Sequence, residues 1–201
     1  MMSIYLVSNN SLIDNIKYND ETIDLIRSLR LLDIIGEKEA KKLSERDLFQ
    51  NAEKIYSSLY ASAIDTAKYF SEKYDLTINL DKRLNDCKVG NLQNKTMSFL
   101  SNLQEHDFTY KMYGGESLND VGQRLNNFIF DIEKDDKEIV AFTHRRCILG
   151  FLLKYCSVGY NLDDELILEY NNKVVYTKSD KLVDIYKIEI NNNKIINIEI
   201  I

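Results

Sequence analysis

Only two histidines occur in the 201 residues, and one of them, His144, stands where chemistry is easily built. The run Glu138-Ile139-Val140-Ala141-Phe142-Thr143 reads as a short apolar strand, and a helix is expected from about 145 to 156. His144 thus falls between a strand and a helix N-terminus, where free amides and the helix dipole favour an anion. Two readings stand for it: a retained ligand-binding histidine, or a residue that caps the helix. Arg145 and Arg146 divide in the same way. A guanidinium folded back toward His144 would pair with phosphate or carboxylate bidentately, and the alternative is two exposed arginines on a first turn. Arg83 carries the same ambiguity. The second histidine, His106, lies in the charged stretch Gln104-Glu105-His106-Asp107 and reads as a solvated loop residue.

Carboxylates and hydroxyls complete the reactive inventory. Asp86 is either an acid in a site or a hydrogen-bonded loop carboxylate. Glu116 precedes a strong helix and serves either that helix's positive end or a ligand. Near the N-terminus, Ile4-Tyr5-Leu6-Val7 runs as a strand into the polar loop Ser8-Asn9-Asn10-Ser11. In an open α/β sheet the carboxyl end of a strand is where ligands bind. A serine-hydrolase arrangement would need Ser8 or Ser62 beside His144 and Asp86, but no Gly-x-Ser-x-Gly elbow accompanies them. His144 and Cys147 make a lone His-x-x-Cys, so no metal site is expected, and nothing calls for a cofactor.

The elements that must position these residues alternate. Lys54–Ser58 reads as a second strand, followed by a helix over about 61–74 with Ile64, Ala67 and Phe70 on one face. A helical stretch covers 36–48. Ser117 opens an amphipathic helix whose Leu118, Val121, Leu125, Phe128 and Ile132 recur at three- and four-residue steps, and Ser117 with Asp120 has capping-box spacing. The tail changes to strand character at Val174–Tyr176, Leu182–Ile190 and Ile195–Ile201, with Asn191-Asn192-Asn193 as a turn. Strand–helix–strand order implies right-handed crossovers and a mostly parallel sheet, with antiparallel C-terminal strands at one edge. The expected architecture is a three-layer α/β/α sandwich forming one domain over residues 1–201.

No apolar run approaches the roughly 20 residues of a membrane span, and no signal-peptide pattern opens the chain. A cytoplasmic protein with no membrane partner is expected. Cys87, Cys147 and Cys156 are an odd number at unhelpful spacings, which argues for reduced thiols. A net charge of -6 without a basic stripe argues against nucleic acid. The edge strands near 182–201 offer one route to a homodimer.

Five segments, taken in order, resemble the histidine phosphatase superfamily, also called phosphoglycerate-mutase-like. Ile4–Asn10 matches its first strand and loop, which in the family ends in Arg-His-Gly. Gly36-Glu37-Lys38-Glu39-Ala40 is similar to the Gly-x-x-Gln-Ala opening of the next helix. Ser57-Ser58-Leu59-Tyr60-Ala61-Ser62-Ala63-Ile64-Asp65-Thr66-Ala67 resembles Ser-Ser-Pro-x-x-Arg-Ala-x-x-Thr-Ala, the most specific of the five. Arg83-Leu84-Asn85-Asp86 with Gly90 resembles Arg-Leu-x-Glu with a glycine four residues on. Gly114–Ser117 and then Thr143-His144 complete the set.

The resemblance implies a chemistry and also its loss. In the family a histidine attacks the phosphoryl group and becomes phosphohistidine, two arginines and a second histidine grip the phosphate, and a carboxylic acid protonates the leaving oxygen. Carried over, the nucleophile's place is Asn9, and the arginines' places are Ser8 and Ser62. The acid's place is Asp86, and only His144 survives unchanged. Removing one transition-state donor typically costs about 10²–10³ in rate, so losing the nucleophile and both arginines should abolish the phosphohistidine route. The expected function is a binding or regulatory pseudoenzyme that holds a small phosphate or carboxylate ligand. The alternative is a phosphomonoesterase with rearranged chemistry centred on His144.

Overall fold

The computed structural model describes residues 1–9, 23–133, 138–178 and 183–201, so Asn10, Ser11 and Leu182 lie outside the described residues. In chain order the elements are β1 Met2–Asn9, α1 Ile23–Leu29, α2 Ile34–Ser44, β2 Lys54–Ser57, α3 Ala61–Tyr74 and β3 Ile78–Leu80. Then come α4 Met97–His106, α5 Leu118–Ile132, β4 Glu138–Thr143, α6 Arg145–Leu152 and β5 Ser157–Tyr160. The chain closes with β6 Leu166–Tyr170, β7 Lys173–Thr177, β8 Val183–Asn191 and β9 Lys194–Ile200.

The central strands are apolar on both faces because both faces are covered. On β1, Met2, Ile4 and Leu6 pack with α5 and α6, while Tyr5 and Val7 face the α3 side with Ala63, Ala67 and Phe70. β4 divides likewise, Ile139 and Ala141 to one side and Val140 and Phe142 to the other. This is the expected three-layer α/β/α arrangement. The main sheet has the order β3-β2-β4-β1-β8-β9. β1 and β2 both pair with β4 in parallel, and β2 pairs with β3 in parallel. β8 and β9 add the antiparallel edge.

Val174–Tyr176 does not join that edge. It lies in β7, which forms a separate antiparallel sheet of order β5-β6-β7. Leu166, Leu168, Val175 and Tyr176 of that sheet pack into the α5–α6 side of the core. Strand periodicity reports a buried face, not which sheet the strand enters. The segment around 91–113 carries no readable motif, yet it folds as α4, with Thr96 accepting from Phe99 N as its cap. Ile23, Val89, Leu92, Leu100 and Met112 make a third small core there.

The α5–α6 contact fixes how α6, and so His144 just before it, meets the sheet. A Cβ on Gly122 would lie 2.0 Å from the carbonyl oxygen of Gly150, and one on Gly150 would lie 2.4 Å from that of Leu118. Only glycines permit this backbone approach. α5 itself begins with a complete capping box, Ser117 accepting from Asp120 N at 3.1 Å and Asp120 accepting from Ser117 N at 3.1 Å.

Gly122→Ala is expected to cost about 3 kcal/mol, since backbone faces backbone and cannot move aside cheaply. Gly159→Ala, with open space around its position, should be near neutral. Urea denaturation of the two variants measures both.

Candidate active site

The carboxyl ends of β1, β2 and β4 lie side by side, Ser8 paired with Thr143 and Ser57 with Phe142. The loop after the single helical turn Lys82–Leu84 crosses these ends. It is held there by Thr143 Oγ1, which donates to Leu84 O at 2.7 Å, and by Leu59 N, which donates to Asn85 Oδ1 at 2.8 Å. Arg124 of α5 ties the same loop from the other side. It donates to Arg83 O at 2.7 Å, to Asp86 O at 3.0 Å, and to both oxygens of Glu116 at 2.9 and 3.0 Å. Glu116 in turn accepts from Lys88 N at 2.9 Å. In this arrangement Glu116 acts as a structural brace. Gly90, next along, has φ +71, and a Cβ there would sit 2.4 Å from Gly115 N.

His144 is buried at the N-cap of α6, but its side chain does not cap the helix. Its Nε2 lies 2.9 Å from Ser58 Oγ, and the ring meets Tyr60 edge-on at 4.9 Å. Ser58 Oγ also accepts from Tyr60 N at 3.2 Å, which fixes Ser58 beside the ring. Burial holds the His144 pKa down at about 4; the charge of Asp86 works against this, and Arg27 and Arg124 reinforce it. At neutral pH the ring is uncharged.

Asp86 comes to the same place. Its side chain is 16% exposed, pairs with Arg27 Nη2, and accepts from Cys87 N at 2.8 Å. Burial would lift its pKa, but Arg27 above all, then His144 and Arg146, hold it below the usual carboxylate range. It is therefore ionised and not a ready proton donor. Arg27 also donates to Cys87 O at 2.9 Å and pairs with Asp24 at 3.3 Å. Asp24 accepts from Val89 N and Gly90 N at 2.9 and 3.1 Å, docking α1 onto the loop.

The two neighbouring arginines point apart. Arg145 reaches toward β7 and β8, donating to Thr177 O at 3.1 Å, lying 5.6 Å over the Tyr176 ring, and placing Nε 3.6 Å from Asp184. Arg146 turns toward the site and lowers the pKa of both Asp86 and Cys87. Its Nη1 and Nη2 are buried without a hydrogen-bond partner among the described residues. Arg83 is committed to Asp81 and Asp131.

The remaining expected positions are accounted for as follows. Ser8 is buried, its Oγ accepting from Asp184 N at 3.1 Å. Asn9 is the last residue of β1, paired with Val183. Ser62 is buried in the first turn of α3, its carbonyl accepting from Thr66 Oγ1 at 2.9 Å. His106 is exposed at the end of α4, 3.1 Å from Asp164 and stacked on Tyr160. Among the described residues no His, Cys, Asp and Glu group could hold a metal ion, and no helix is long and apolar enough to cross a membrane. Sequence reasoning missed Arg27, Arg124 and Ser58. For Arg124 the signal was present: a cation three residues after Val121 and four before Phe128, bordering an apolar stripe.

Among the described residues, Ser58–His144 is the nucleophile–base contact at this site. Ser58 is fully buried, and an imidazole of pKa about 4 is a weak base, so the pair suits structure better than hydrolysis.

The model of the histidine phosphatase superfamily (branch 1) matches residues 30–177. Among curated proteins, 6-phosphofructo-2-kinase 1 of Saccharomyces cerevisiae is 30% identical over 131 residues, covering 58% of this chain and 16% of that protein. A probable 6-phosphofructo-2-kinase of Schizosaccharomyces pombe is 27% identical over 143 residues, covering 66% and 23%. The chain thus spans less than a quarter of the length of these relatives. Among solved structures, the mycobacterial glucosyl-3-phosphoglycerate phosphatase superposes with TM-score 0.68 at 17% identity, covering 99% of this chain and 96% of that one. A putative alpha-ribazole-5'-P phosphatase of Escherichia coli gives 0.63 at 14%, covering 100% and 95%. These structures share the phosphoglycerate-mutase-like α/β fold. The chain belongs to the histidine phosphatase superfamily.

Two outcomes follow for stability. Because the folded His144 pKa of about 4 lies below the ordinary 6.5, the unfolded chain takes up the proton first. Stability should fall by about 3 kcal/mol as pH drops from 6.5 to 4, be flat above 6.5, and lose this slope in His144→Gln. Denaturant midpoints against pH measure it. Arg27→Met should cost about 3–5 kcal/mol by stranding the Asp86 carboxylate, with much of this recovered in the double variant Arg27→Met, Asp86→Asn.

Proposed function

We propose that this chain is a non-catalytic member of its superfamily that binds a small anionic group, phosphate or carboxylate, beside His144. The observation that carries the reading is Arg146, whose Nη1 and Nη2 are buried without a hydrogen-bond partner among the described residues and whose charge lowers the Asp86 pKa. A buried guanidinium with unmade hydrogen bonds costs several kcal/mol, and a ligand oxyanion would supply the missing acceptors. Arg27 and the amides at the start of α6 would add to the same anion's stabilisation.

Three features support the absence of phosphohistidine chemistry. The nucleophile's place falls on Asn9, whose amide does not attack phosphorus, and the arginines' places fall on the buried hydroxyls Ser8 and Ser62. Asp86, at the acid's place, is an ion-paired carboxylate. His144 is hydrogen-bonded to Ser58 through Nε2 and is neutral.

Inorganic phosphate and a simple phosphate monoester should bind in calorimetry, and Arg146→Ala should weaken binding by at least about tenfold. Hydrolysis of an aryl phosphate between about pH 4 and 8 should be absent in the native protein, the range spanning ordinary histidine and carboxylate titration. Native turnover that disappears in His144→Ala would establish the rearranged phosphomonoesterase instead. Turnover gained by Asn9→His with Ser8→Arg would support lost chemistry in a retained site.

A further inference from the structure

His106 ends α4, and both of its ring nitrogens face acceptors. Nδ1 lies 2.9 Å from Asn102 O, one turn back on the same helix, and Nε2 lies 3.1 Å from Asp164 Oδ2. A carbonyl and an ionised carboxylate only accept, whereas a neutral imidazole has a single N–H. Only the imidazolium makes both bonds at once. The ring also stacks on Tyr160 with centroids 5.3 Å apart at 18°, an arrangement that favours a cation, and Tyr160 Oη donates to Glu105 O at 2.8 Å. Asp164 is held ready by the turn between β5 and β6. There Asn161 Oδ1 accepts from Asp163 N and Glu165 N, both at 2.9 Å, and Asp164 N donates to Asn161 O at 3.1 Å, with φ +61 at Asp164.

We propose that His106 is a proton-operated latch that joins the end of α4 to the β5–β6 turn, closed when its ring is an imidazolium and open when the ring is neutral. The charged or titratable groups that the two elements bring here are Glu105 and Asp107 from the α4 end, and Tyr160, Asp163, Asp164 and Glu165 from the turn. Asp107 is engaged with Thr109, and Glu165 accepts from Asn161 Nδ2. The Asn102 carbonyl first, then Asp164 and Glu105, raise the His106 pKa above its ordinary 6.5. The latch is therefore fully closed below pH 6.5 and opens as pH rises through the higher folded-state value, opposite in sign to the His144 effect. What it secures is the helix carrying Leu100 of the third core and Gln104, whose Nε2 donates to Glu116 O at 2.9 Å behind the Arg124 brace.

NMR titration of the two histidine rings, assigned with His106→Gln, and amide hydrogen exchange corrected for its intrinsic pH dependence test this together. His106 should titrate above its ordinary value in the native chain and fall back toward it in Asp164→Asn. That variant removes the charge, while asparagine accepts the left-handed φ at this position. Asp107 N, which closes the last turn of α4 on Leu103 O, and Asp164 N should exchange about two- to fivefold faster at about pH 8 than at about pH 5.5. Both His106→Gln and Asp164→Asn should abolish that difference, whereas His144→Gln should keep it. A native His106 that titrates at or below its ordinary value overturns the proposal. So does protection at the α4 end that is independent of pH, or that varies with pH equally in the two latch variants.

Discussion

The arrangement of the site rests on the half-buried guanidinium of Arg124. Its planar donors are shared between a carboxylate, Glu116, and two backbone carbonyls, Arg83 O and Asp86 O. Charge-assisted hydrogen bonds of this kind are about twice as strong as neutral ones, and a planar fork fixes direction as well as distance. Without it, the loop from Arg83 to Lys88 would lose its tie to α5 and be held over the strand ends by Thr143, Leu59, Arg27 and Glu116. The small Gly122–Gly150 contact makes the same demand from the other side, setting α6 against α5 so that His144 arrives at that loop.

The charges gathered there are unevenly matched. Asp86 is answered by Arg27, and Glu116 by Arg124, each pair drawing a carboxylate and a guanidinium out of water together. Arg146 has no acceptor for its terminal nitrogens among the described residues. Burying ions is expensive unless hydrogen bonding is complete, so the unmade bonds of Arg146 leave that guanidinium in an unfavourable setting. Burial keeps His144 neutral, and the thiol of Cys87, pushed up to about 12 by burial, stays protonated.

Much of the frame was readable in advance because it depends on short-range pattern. The stripe Leu118, Val121, Leu125, Phe128, Ile132 marks α5, and the cap Ser117–Asp120 marks its start. The helix over 61–74 coincides with α3, and the two-sided apolar strands near Ile4 and Ile139 point to a covered, mostly parallel sheet. α1, α4 and the β5–β7 sheet were not readable. α1 spans only seven residues, and α4 owes its place to the small core around Val89 and Leu100. Val174–Tyr176 reads as a strand equally well in either sheet.

By itself the sequence determined which residue types are at hand: one histidine after a buried strand, a carboxylate four residues before Gly90, hydroxyls and an amide at the end of β1. Tertiary structure decided which charges meet. Arg27 reaches Asp86 from 59 positions away, a pairing no local spacing encodes. Arg145 and Arg146 are adjacent in the chain, yet one pairs with Asp184 while the other's charge lowers the Asp86 pKa. Consecutive helical residues project about 100° apart, so only the packing of α6 on α5 and the sheet settles which of them faces the site.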